Sequence, residues 1–353
     1  MSGDLPDWAR AHGVVTARGR LKSTPEDFRV EEELGFVADG DGPHALLTVE
    51  KRGANTRWVA AELARHTGIA PRDVGYAGLK DRQAVTVQHF TVPIEGRPEP
   101  DWQALPAGEF RVIRAARHRR KLKIGALKGN RFRILLRELS QPAETLLPRL
   151  ADIRARGVPN YFGPQRFGRD GGNIQKAEAM LVGGRRIHDR RLRSILLSAA
   201  RSLIFNDSLS ARVDAGNWDK LLPGEVLMLD GSRSVFKSDP ADTTLEQRLA
   251  ENDVHPTGPL WGRGETGAAD AALALEAQVI GSHAALAQGL EKAGLAAARR
   301  ALRLPVRELS WEVPDAHTLT VSFFLPAGAY ATTVLRELLD TEGELEDTDA
   351  NED

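Results

Sequence analysis

One aspartate in this chain has the surroundings of a reactive carboxylate. The segment GlyTyrAlaGlyLeuLysAspArgGlnAlaValThr, residues 75–86, places Asp81 between Lys80 and Arg82, after a glycine turn and before a strand-like run. Neighbouring cations keep a carboxylate ionised, so Asp81 is a candidate nucleophile or base at neutral pH. Residues one apart in an extended chain point to opposite faces, however, so the same pattern also fits a solvated charged turn.

The charge distribution indicates a polyanionic partner. Residues 340–353 carry eight acidic and no basic residues, so the formal net charge of −1 for 353 residues becomes +7 for residues 1–339. Residues 111–137 hold eleven Lys or Arg and no Asp or Glu, and residues 185–193 hold five Arg against Asp189 alone. Such patches suit nucleic acid, although each one alone also fits a solvated charged face.

The residue inventory excludes several kinds of chemistry. The chain has no cysteine, which rules out disulfides, zinc-thiolate sites and thiol nucleophiles, and its nine histidines lack the spacing of metal ligands. The one formal G-x-G-x-x-G, residues 262–267, follows a segment rich in Pro and Gly instead of a central parallel strand, so we reject nucleotide binding there. We expect neither a metal nor a cofactor.

Hydrophobic periodicity predicts the strands and helices that position the candidate residues. Alternating apolar residues predict strands over 28–34, 132–136 and 319–325, and the AspGlyAspGly turn at 39–42 predicts a hairpin to a strand over 45–49. Residues 56–67 predict a helix with a Thr cap that ends at Gly68. Further helices are predicted within 174–184, 193–213, 268–302 and 332–339.

The predicted elements are mostly strands at first, then mostly helices, then strands again. This order predicts an α+β protein with an inserted domain. We place the β-rich domain at residues 1–155 and 305–340, the insertion at 156–304, and a disordered acidic tail at 341–353. The N-terminal MetSerGlyAspLeuPro lacks the features of a signal peptide, and no apolar run is long enough to span a membrane. We therefore expect a cytoplasmic protein without membrane contact and with no obligatory protein partner.

Five motifs in a fixed order resemble the TruD family of tRNA pseudouridine synthases. They are ThrProGluAspPheArgValGluGlu (24–32), GlyLeuLysAspArg (78–82), ArgHisArgArgLysLeuLysIleGlyAlaLeuLysGlyAsnArgPhe (117–132), ValProAsnTyrPheGlyProGlnArgPheGly (158–168) and LeuProAlaGlyAlaTyrAlaThr (325–332). The resemblance implies a β-rich catalytic domain with a mixed or antiparallel sheet flanked by helices. It also implies that the insertion is the TruD-specific domain, which would close over RNA.

The resemblance also implies roles for particular residues. Asp81 would be the catalytic aspartate and Lys22 the basic residue near it. Phe28, Asn130 and Phe132 would line the uridine pocket, although Phe132 beside Ile134 and Leu136 also fits a core position on pattern alone. Tyr330 would line the pocket as well. It stands where the family often has Phe, and its hydroxyl is tolerable there if it points to water.

The implied substrate is tRNA, with uridine 13 of the D arm as the expected target. Pseudouridine formation needs no cofactor, and the carboxylate would either attack covalently or remove the C2′ proton to give a glycal. Basic side chains would contact phosphates: Arg117, Arg119, Arg120, Lys121, Lys123 and Lys128. Two alternatives remain open from the residues, a non-catalytic RNA-binding or RNA-folding protein and an aspartate-dependent metal hydrolase.

Overall fold

The computed structural model describes residues 5–105 and 108–342. The chain divides into two compact units. Unit one comprises the chain up to Val15, Pro148–Val306 and Ala329–Leu338. Unit two comprises Thr16–Leu147, Arg307–Gly328 and the chain from Leu339 onward. Each unit is therefore assembled from segments that are distant in sequence.

The elements alternate between short strands and helices along the chain. The strands are β1 Arg18–Arg20, β2 Phe28–Glu33, β3 His44–Arg52, β4 Gly75–Tyr76, β5 Val85–Pro93, β6 Phe110–His118, β7 Gly129–Leu136, β8 Val158–Pro159, β9 Val226–Leu229, β10 Val235–Lys237, β11 Val254–Leu260, β12 Ala298–Ala301, β13 Arg303–Leu304, β14 Arg307–Asp315, β15 Thr318–Pro326 and β16 Asp340–Glu342. The helices are α1 Thr56–Thr67, α2 Leu147–Arg156, α3 Gly172–Leu181, α4 Arg190–Asp214, α5 Leu245–Ala250, α6 Asp270–Ser282, α7 Ala284–Lys292 and α8 Ala331–Leu338.

Unit two is built on an eight-stranded mixed sheet in the order β14-β15-β7-β2-β5-β3-β6, with β4 paired to β5. The pair β2 and β5 is parallel, and the other pairs of this sheet are antiparallel. The predicted hairpin over 28–49 is wrong, because β5 lies between β2 and β3. The connection that contains the AspGlyAspGly turn at 39–42 thus reverses the chain direction but skips one strand position, which β5 occupies.

The register of this sheet aligns one row of inward-facing residues across five strands. Val30 of β2 pairs with Thr86 of β5 and Phe132 of β7. Phe132 pairs in turn with Phe323 of β15, and Thr86 pairs with Lys51 of β3. Paired residues share a face of a sheet, so this row contains the polar side chains of Lys51 and Thr86 beside the apolar Val30, Phe132 and Phe323.

Helix α1 packs on this sheet and confirms the predicted helix over 56–67, including its end at the left-handed Gly68. The cap is Asn55, whose side chain accepts the Arg57 N–H at 2.7 Å, so the predicted Thr cap is wrong. The Thr56 hydroxyl is instead buried and donates to Gln88 Oε1 at 3.0 Å. A polar contact with the sheet therefore takes the place of the predicted cap.

Unit one surrounds the long helix α4, whose buried face includes Leu196, Ile204 and Phe205. It also contains a four-stranded antiparallel sheet in the order β10-β9-β11-β12. The helix predicted over 268–302 is broken at His283 into α6 and α7, and its last part forms β12 by pairing with β11. Local alanine content did not reveal this pairing, because its partner strand lies about forty residues earlier in the chain.

Across residues 5–105 and 108–342, the structure contains no helix both long and apolar enough to cross a membrane. Most of the predicted acidic tail, 343–353, lies outside the described residues.

Candidate active site

Asp81 lies in the loop between β4 and β5, with its side chain 11 % exposed. Its Oδ2 forms an ion pair with Nζ of Lys22, and its Oδ1 accepts the Gln83 N–H at 2.9 Å. The neighbours in sequence, Lys80 and Arg82, bind elsewhere: Lys80 pairs with Glu32, and Arg82 donates to the Gly53 carbonyl. The cation that stabilises the charged carboxylate therefore comes from a distant loop.

Lys22 is held in an unusual backbone conformation. Its φ of +57° lies in the left-handed region, where a residue with a side chain is strained. The turn that follows it is fixed by Asp27, which accepts the Thr24 N–H at 3.0 Å and pairs with Arg137, with Nη2 at 2.8 Å from Oδ1. This pair of the buried Asp27 with the partly exposed Arg137 joins the ProGluAspPhe segment to the end of β7, and so positions the strained residue.

The loop that carries Asp81 is tied to the sheet by buried polar side chains. Lys51, which is fully buried, donates its Nζ to the carbonyls of Ala54 at 2.6 Å and Asp81 at 3.0 Å. The Thr56 hydroxyl accepts the Lys80 N–H at 3.0 Å, and Gln88 Nε2 donates to the Gly78 carbonyl at 2.6 Å. Backbone groups on both sides of Asp81 are thereby fixed, which keeps its carboxylate in one place.

A second buried ion pair lies beside this loop. Lys80 Nζ is 3.0 Å from Glu32 Oε2, and the Glu32 side chain is fully buried. Burial raises the pKa of Glu32, but the hydrogen bond from His89 and the charge of Lys80 outweigh it, so the pKa lies below its ordinary value of 4.5. Glu32 therefore stays ionised at neutral pH.

An aromatic surface begins next to Lys22. Its Nζ lies 4.6 Å from the ring centroid of Phe28, a cation–π contact. Phe28 meets Phe132 edge to face at 6.1 Å, and Phe132 contacts Phe323 at 5.4 Å. The half-buried Phe132 thus combines both interpretations of its sequence position, because it packs on aromatic neighbours and keeps part of its surface accessible.

Asn130 adds an unsatisfied polar group to the same face of the sheet. It lies two residues before Phe132 on β7 and is paired in register with Glu32. Its Oδ1 is buried and has no hydrogen-bond partner among the described residues. Buried amide oxygens normally have partners, so an unsatisfied one beside an aromatic surface fits a site that receives a hydrogen-bond donor from a ligand.

The structure therefore brings together Asp81, Lys22, Phe28, Phe132 and Asn130 in unit two. Tyr330 belongs to unit one, where its hydroxyl accepts a hydrogen bond from Arg166 Nη2 at 3.0 Å. The hydroxyl that distinguishes Tyr330 from Phe thus has a protein partner, Arg166. Sequence reasoning missed Lys51 and Glu32 as supports of the site, although Glu32 occupies an apolar-face position in the alternation of residues 28–34.

The basic loop between β6 and β7 lies beside the Asp81 loop, because the Gly125 N–H donates to the Ala77 carbonyl at 2.6 Å. Within it, Arg120 and Lys123 are exposed and have no side-chain partner among the described residues. Lys121 is also exposed and donates to the Arg72 carbonyl at 2.6 Å. These three positive charges have no carboxylate neutralising them in this part of the chain.

The other three cations of the predicted phosphate contacts have acidic neighbours. Arg119 binds both carboxylate oxygens of Asp41, at 2.8 and 2.9 Å. Lys128 Nζ lies 2.6 Å from Glu33, and Arg117 Nε lies 3.8 Å from Glu99. The predicted set is therefore divided into cations free to bind an anion and cations that are already paired.

Known proteins share both the sequence and the fold of this chain. The sequence model of the family described as tRNA pseudouridine synthase D (TruD) matches residues 11–185 and 173–338. The chain belongs to the TruD family. It is 50 % identical over 337 residues to the tRNA pseudouridine synthase D of Methylococcus capsulatus, covering 96 % of this chain and 94 % of that protein. The protein of the same name from Nitrosococcus oceani is 49 % identical, with 92 % of each chain covered.

A solved structure described as a TruD protein from Methanosarcina mazei matches with a TM-score of 0.72 at 20 % identity, covering 96 % of this chain and 95 % of that one. This likeness, together with the family match, confirms the predicted α+β fold. Within 5–105 and 108–342, no group of three or more His, Asp or Glu side chains has the arrangement of a metal site.

Replacing Glu32 tests whether its buried ion pair with Lys80 stabilises the protein around the Asp81 loop. Because the folded-state pKa of Glu32 is depressed, its contribution to stability is present above pH 4.5 and is lost as the pH falls through the folded value. Glu32→Gln leaves Lys80 buried without its anion. We expect a loss of about 3 kcal/mol in the free energy of unfolding at pH 7 and a shallower decline below pH 4.5.

Urea unfolding at pH 7 and at a series of lower pH values measures both effects. Glu31→Gln is the matched control, since Glu31 directly precedes Glu32 in β2 and its side chain is exposed. Equal stability of Glu32→Gln and wild type at pH 7 would contradict the assigned role of this pair.

Proposed function

We propose that this member of the tRNA pseudouridine synthase D family converts uridine 13 of the tRNA D arm to pseudouridine, with Asp81 as catalytic residue and no cofactor. The observation that carries the proposal is the carboxylate of Asp81, ion-paired with Lys22 and connected through Phe28 to the half-exposed Phe132. The cation, the aromatic surface and the unsatisfied Asn130 amide are the groups that a flipped uridine and its reaction require.

The reaction is an isomerisation, so its atoms balance without a co-reactant. The bond from ribose C1′ to uracil N1 breaks, the base turns, and C1′ bonds to C5, while C5 loses a proton and N1 gains one. An ionised carboxylate is sufficient for the two routes open to Asp81. It either attacks C1′ and is displaced when C5 bonds there, or it removes the C2′ proton to give a glycal and the proton later returns.

Lys22 would hold the carboxylate of Asp81 in position while the uridine is bound. The aromatic ring of Phe132, with Phe28 behind it, would stack on the target base, a contact worth about 1 to 3 kcal/mol per base. Asn130 Oδ1 would accept the uracil N3–H, which satisfies the buried oxygen that has no protein partner. Tyr330 is also proposed as a substrate-binding residue.

The basic loop would hold the RNA backbone. Arg120, Lys121 and Lys123 are exposed on a loop joined to Ala77, close in sequence to Asp81. Phosphate contacts of this kind position a nucleic acid without reading its sequence. Arg117, Arg119 and Lys128 would join them if their acidic partners release them on binding.

The remaining expectations complete the proposal. Residues 156–304 would form the inserted TruD domain, with 1–155 and 305–340 as the catalytic domain. The partner is tRNA, no protein partner is required, and the expected location is the cytoplasm. The principal alternative is a non-catalytic RNA-binding or RNA-folding protein, and the intact surroundings of Asp81 favour the enzyme over it.

Mapping of pseudouridine by mass spectrometry tests the proposal. Wild-type protein incubated with an unmodified tRNA transcript should produce pseudouridine at position 13, with the same yield in EDTA. A transcript with cytidine at position 13 is the matched control and should stay unmodified. Tight binding without pseudouridine would favour the non-catalytic alternative, and loss of activity in EDTA would contradict the metal-free mechanism.

The salt dependence of tRNA binding tests the basic loop. Replacing Arg120 and Lys123 together by Gln removes two unpaired cations, so the slope of log K against log salt should fall by about 1 to 2. Arg119→Gln is the control, because Asp41 already neutralises this cation, and its effect should be smaller. An unchanged slope in the double variant would show that this loop does not contact phosphate.

A further inference from the structure

The second basic segment of the sequence, residues 185–193, has no role in the proposed catalysis. It lies in unit one and comprises the end of the connection between α3 and α4 and the first turn of α4. Ile187 packs against the apolar core of this unit, while the preceding Arg185 and Arg186 are exposed. The Arg185 N–H also donates to the Ala179 carbonyl of α3 at 2.9 Å. The segment is therefore anchored to the unit and presents its arginines at the surface.

A cavity of about 420 Å³ opens at the surface beside this segment, between the end of α3, the start of α4 and the end of α7. We call it the basic pocket. Four cations and an imidazole line it: Arg185, Arg186, Arg193, Lys292 and His188. No Asp or Glu of the described residues lines it. The basic pocket is therefore a space that an anion can enter and whose charged side chains are all cations.

The cations of the basic pocket have no carboxylate partner among the described residues. Its three arginines make no side-chain hydrogen bond or ion pair within the part of the chain that the structure describes. Lys292 donates its Nζ to the neutral side chain of Gln288 at 3.1 Å. Other arginines of unit one do have carboxylate partners, as Arg156 has in Asp219 at 2.9 Å. Like charges around one space repel each other, and an anion bound there would relieve this repulsion.

The stability of α4 does not explain the presence of Arg193. This residue lies in the first turn of the helix, which contains no acidic residue. The positive end of the helix dipole lies there, so a cation is unfavourable at this position. The nearby Asp189 is used as the helix cap, since its Oδ1 accepts the N–H groups of Arg191 at 2.7 Å and Leu192 at 3.2 Å. The helix dipole and the arginine charges therefore both favour an anion at this end of the basic pocket.

The base of the basic pocket is closely packed. Gly289 of α7 is buried and lines the pocket. A Cβ at this position would lie 2.7 Å from the Cβ of Leu181 in α3, so glycine allows the two helices to approach each other. Met180 and Ala293 also line the pocket and pack against the apolar core of unit one. The space is therefore preformed, which reduces the cost of ordering a binding site.

We infer that the basic pocket binds a phosphodiester group of the RNA substrate, in addition to the phosphates proposed for the loop between β6 and β7. A phosphate accepts several charge-assisted hydrogen bonds, and the planar fork of arginine matches its oxygens. RNA carries a phosphate at every nucleotide, so a contact in unit one extends the same electrostatic attraction. The inference rests on the proposed function for the identity of the RNA as tRNA.

The test measures the binding of full-length protein to an unmodified tRNA transcript by fluorescence anisotropy over a series of KCl concentrations. The double variant Arg186→Gln, Arg193→Gln removes two cations of the basic pocket. We expect binding about tenfold weaker and a slope of log K against log salt smaller by about 1 to 2. The double variant Arg169→Gln, Arg233→Gln is the matched control and should bind within about twofold of wild type. Both of its arginines are exposed in unit one, lie outside the pocket and have no side-chain partner among the described residues.

Arg193→Glu separates phosphate binding from a merely structural role. A carboxylate in the first turn of α4 suits the helix dipole, so the melting temperature of this variant should equal or exceed that of wild type. In the basic pocket the same carboxylate repels phosphate, so tRNA binding should weaken by about tenfold or more. The double variant Arg186→Lys, Arg193→Lys keeps the charge but not the planar fork. It should retain the wild-type salt slope while binding about threefold more weakly.

Unchanged affinity and slope in the folded Arg186→Gln, Arg193→Gln variant would overturn the inference. An equal loss of affinity in the control variant would also overturn it, because the effect would then follow from net charge alone. Inorganic phosphate distinguishes the source of the anion. If phosphate raises the melting temperature of wild type but not of the Arg186→Gln, Arg193→Gln variant, while tRNA binding is equal in both, the pocket holds a free anion and the RNA assignment fails.

Pseudouridine formation is measured with the same proteins. At saturating transcript, the Arg186→Gln, Arg193→Gln variant should form pseudouridine at the wild-type rate, because the basic pocket contains none of the residues proposed to act on the uridine. Wild type that binds the transcript but does not convert it would contradict the proposed function alone. Normal conversion by wild type, with unchanged binding by the variant, would contradict the assignment of the basic pocket alone.

Discussion

The ion pair between Lys22 and Asp81 is the interaction on which the rest of the site depends. Both side chains are largely removed from water, with exposed fractions of 6 % and 11 %. A carboxylate in such a place would be costly without a cation, and a cation there would be costly without the carboxylate. The fold must therefore bring two loops together closely enough to satisfy both charges, and much of the nearby polar structure serves that end.

On the Lys22 side, a left-handed backbone is maintained by the buried carboxylate of Asp27 and its ion pair with Arg137. On the Asp81 side, Lys51 and Thr56 hold the loop through backbone groups, and the pair of Glu32 and Lys80 closes the buried network. These side chains restrict the motion of the Asp81 loop by binding its backbone amides and carbonyls. A rigid loop is what the catalytic role proposed for Asp81 requires.

Sequence patterns predicted those parts of the fold that depend on local periodicity. The strand containing Phe132, the strand over 319–325 and the end of α1 at Gly68 all follow from alternation or from a helix stop signal. The insertion of β5 between β2 and β3 could not be predicted in this way, because the parallel pairing of Val30 with Thr86 depends on residues 56 positions apart. The role of Lys51 could not be predicted for the same reason, because the carbonyl groups that accept its hydrogen bonds lie next to it only in the folded chain.

The motifs that resemble the family located Asp81, Lys22, Phe28, Asn130 and Phe132, and the structure places these five side chains in one unit. Adjacency alone named the wrong cations, since Lys80 and Arg82 flank Asp81 in sequence but bind other groups. The hydroxyl of Tyr330 shows a similar limit. The replacement of Phe by Tyr in the motif does not reveal that Arg166, far away in the sequence, donates a hydrogen bond to the hydroxyl.

Single-turnover conversion of an unmodified tRNA transcript by wild type and Asp81→Asn tests the central claim most directly. The substitution keeps the shape of the side chain and removes its charge. We predict that Asp81→Asn forms no detectable pseudouridine while its equilibrium affinity for the transcript stays within about threefold of wild type, a difference of under 1 kcal/mol. Pseudouridine formation by folded Asp81→Asn at a rate near that of wild type would contradict the account.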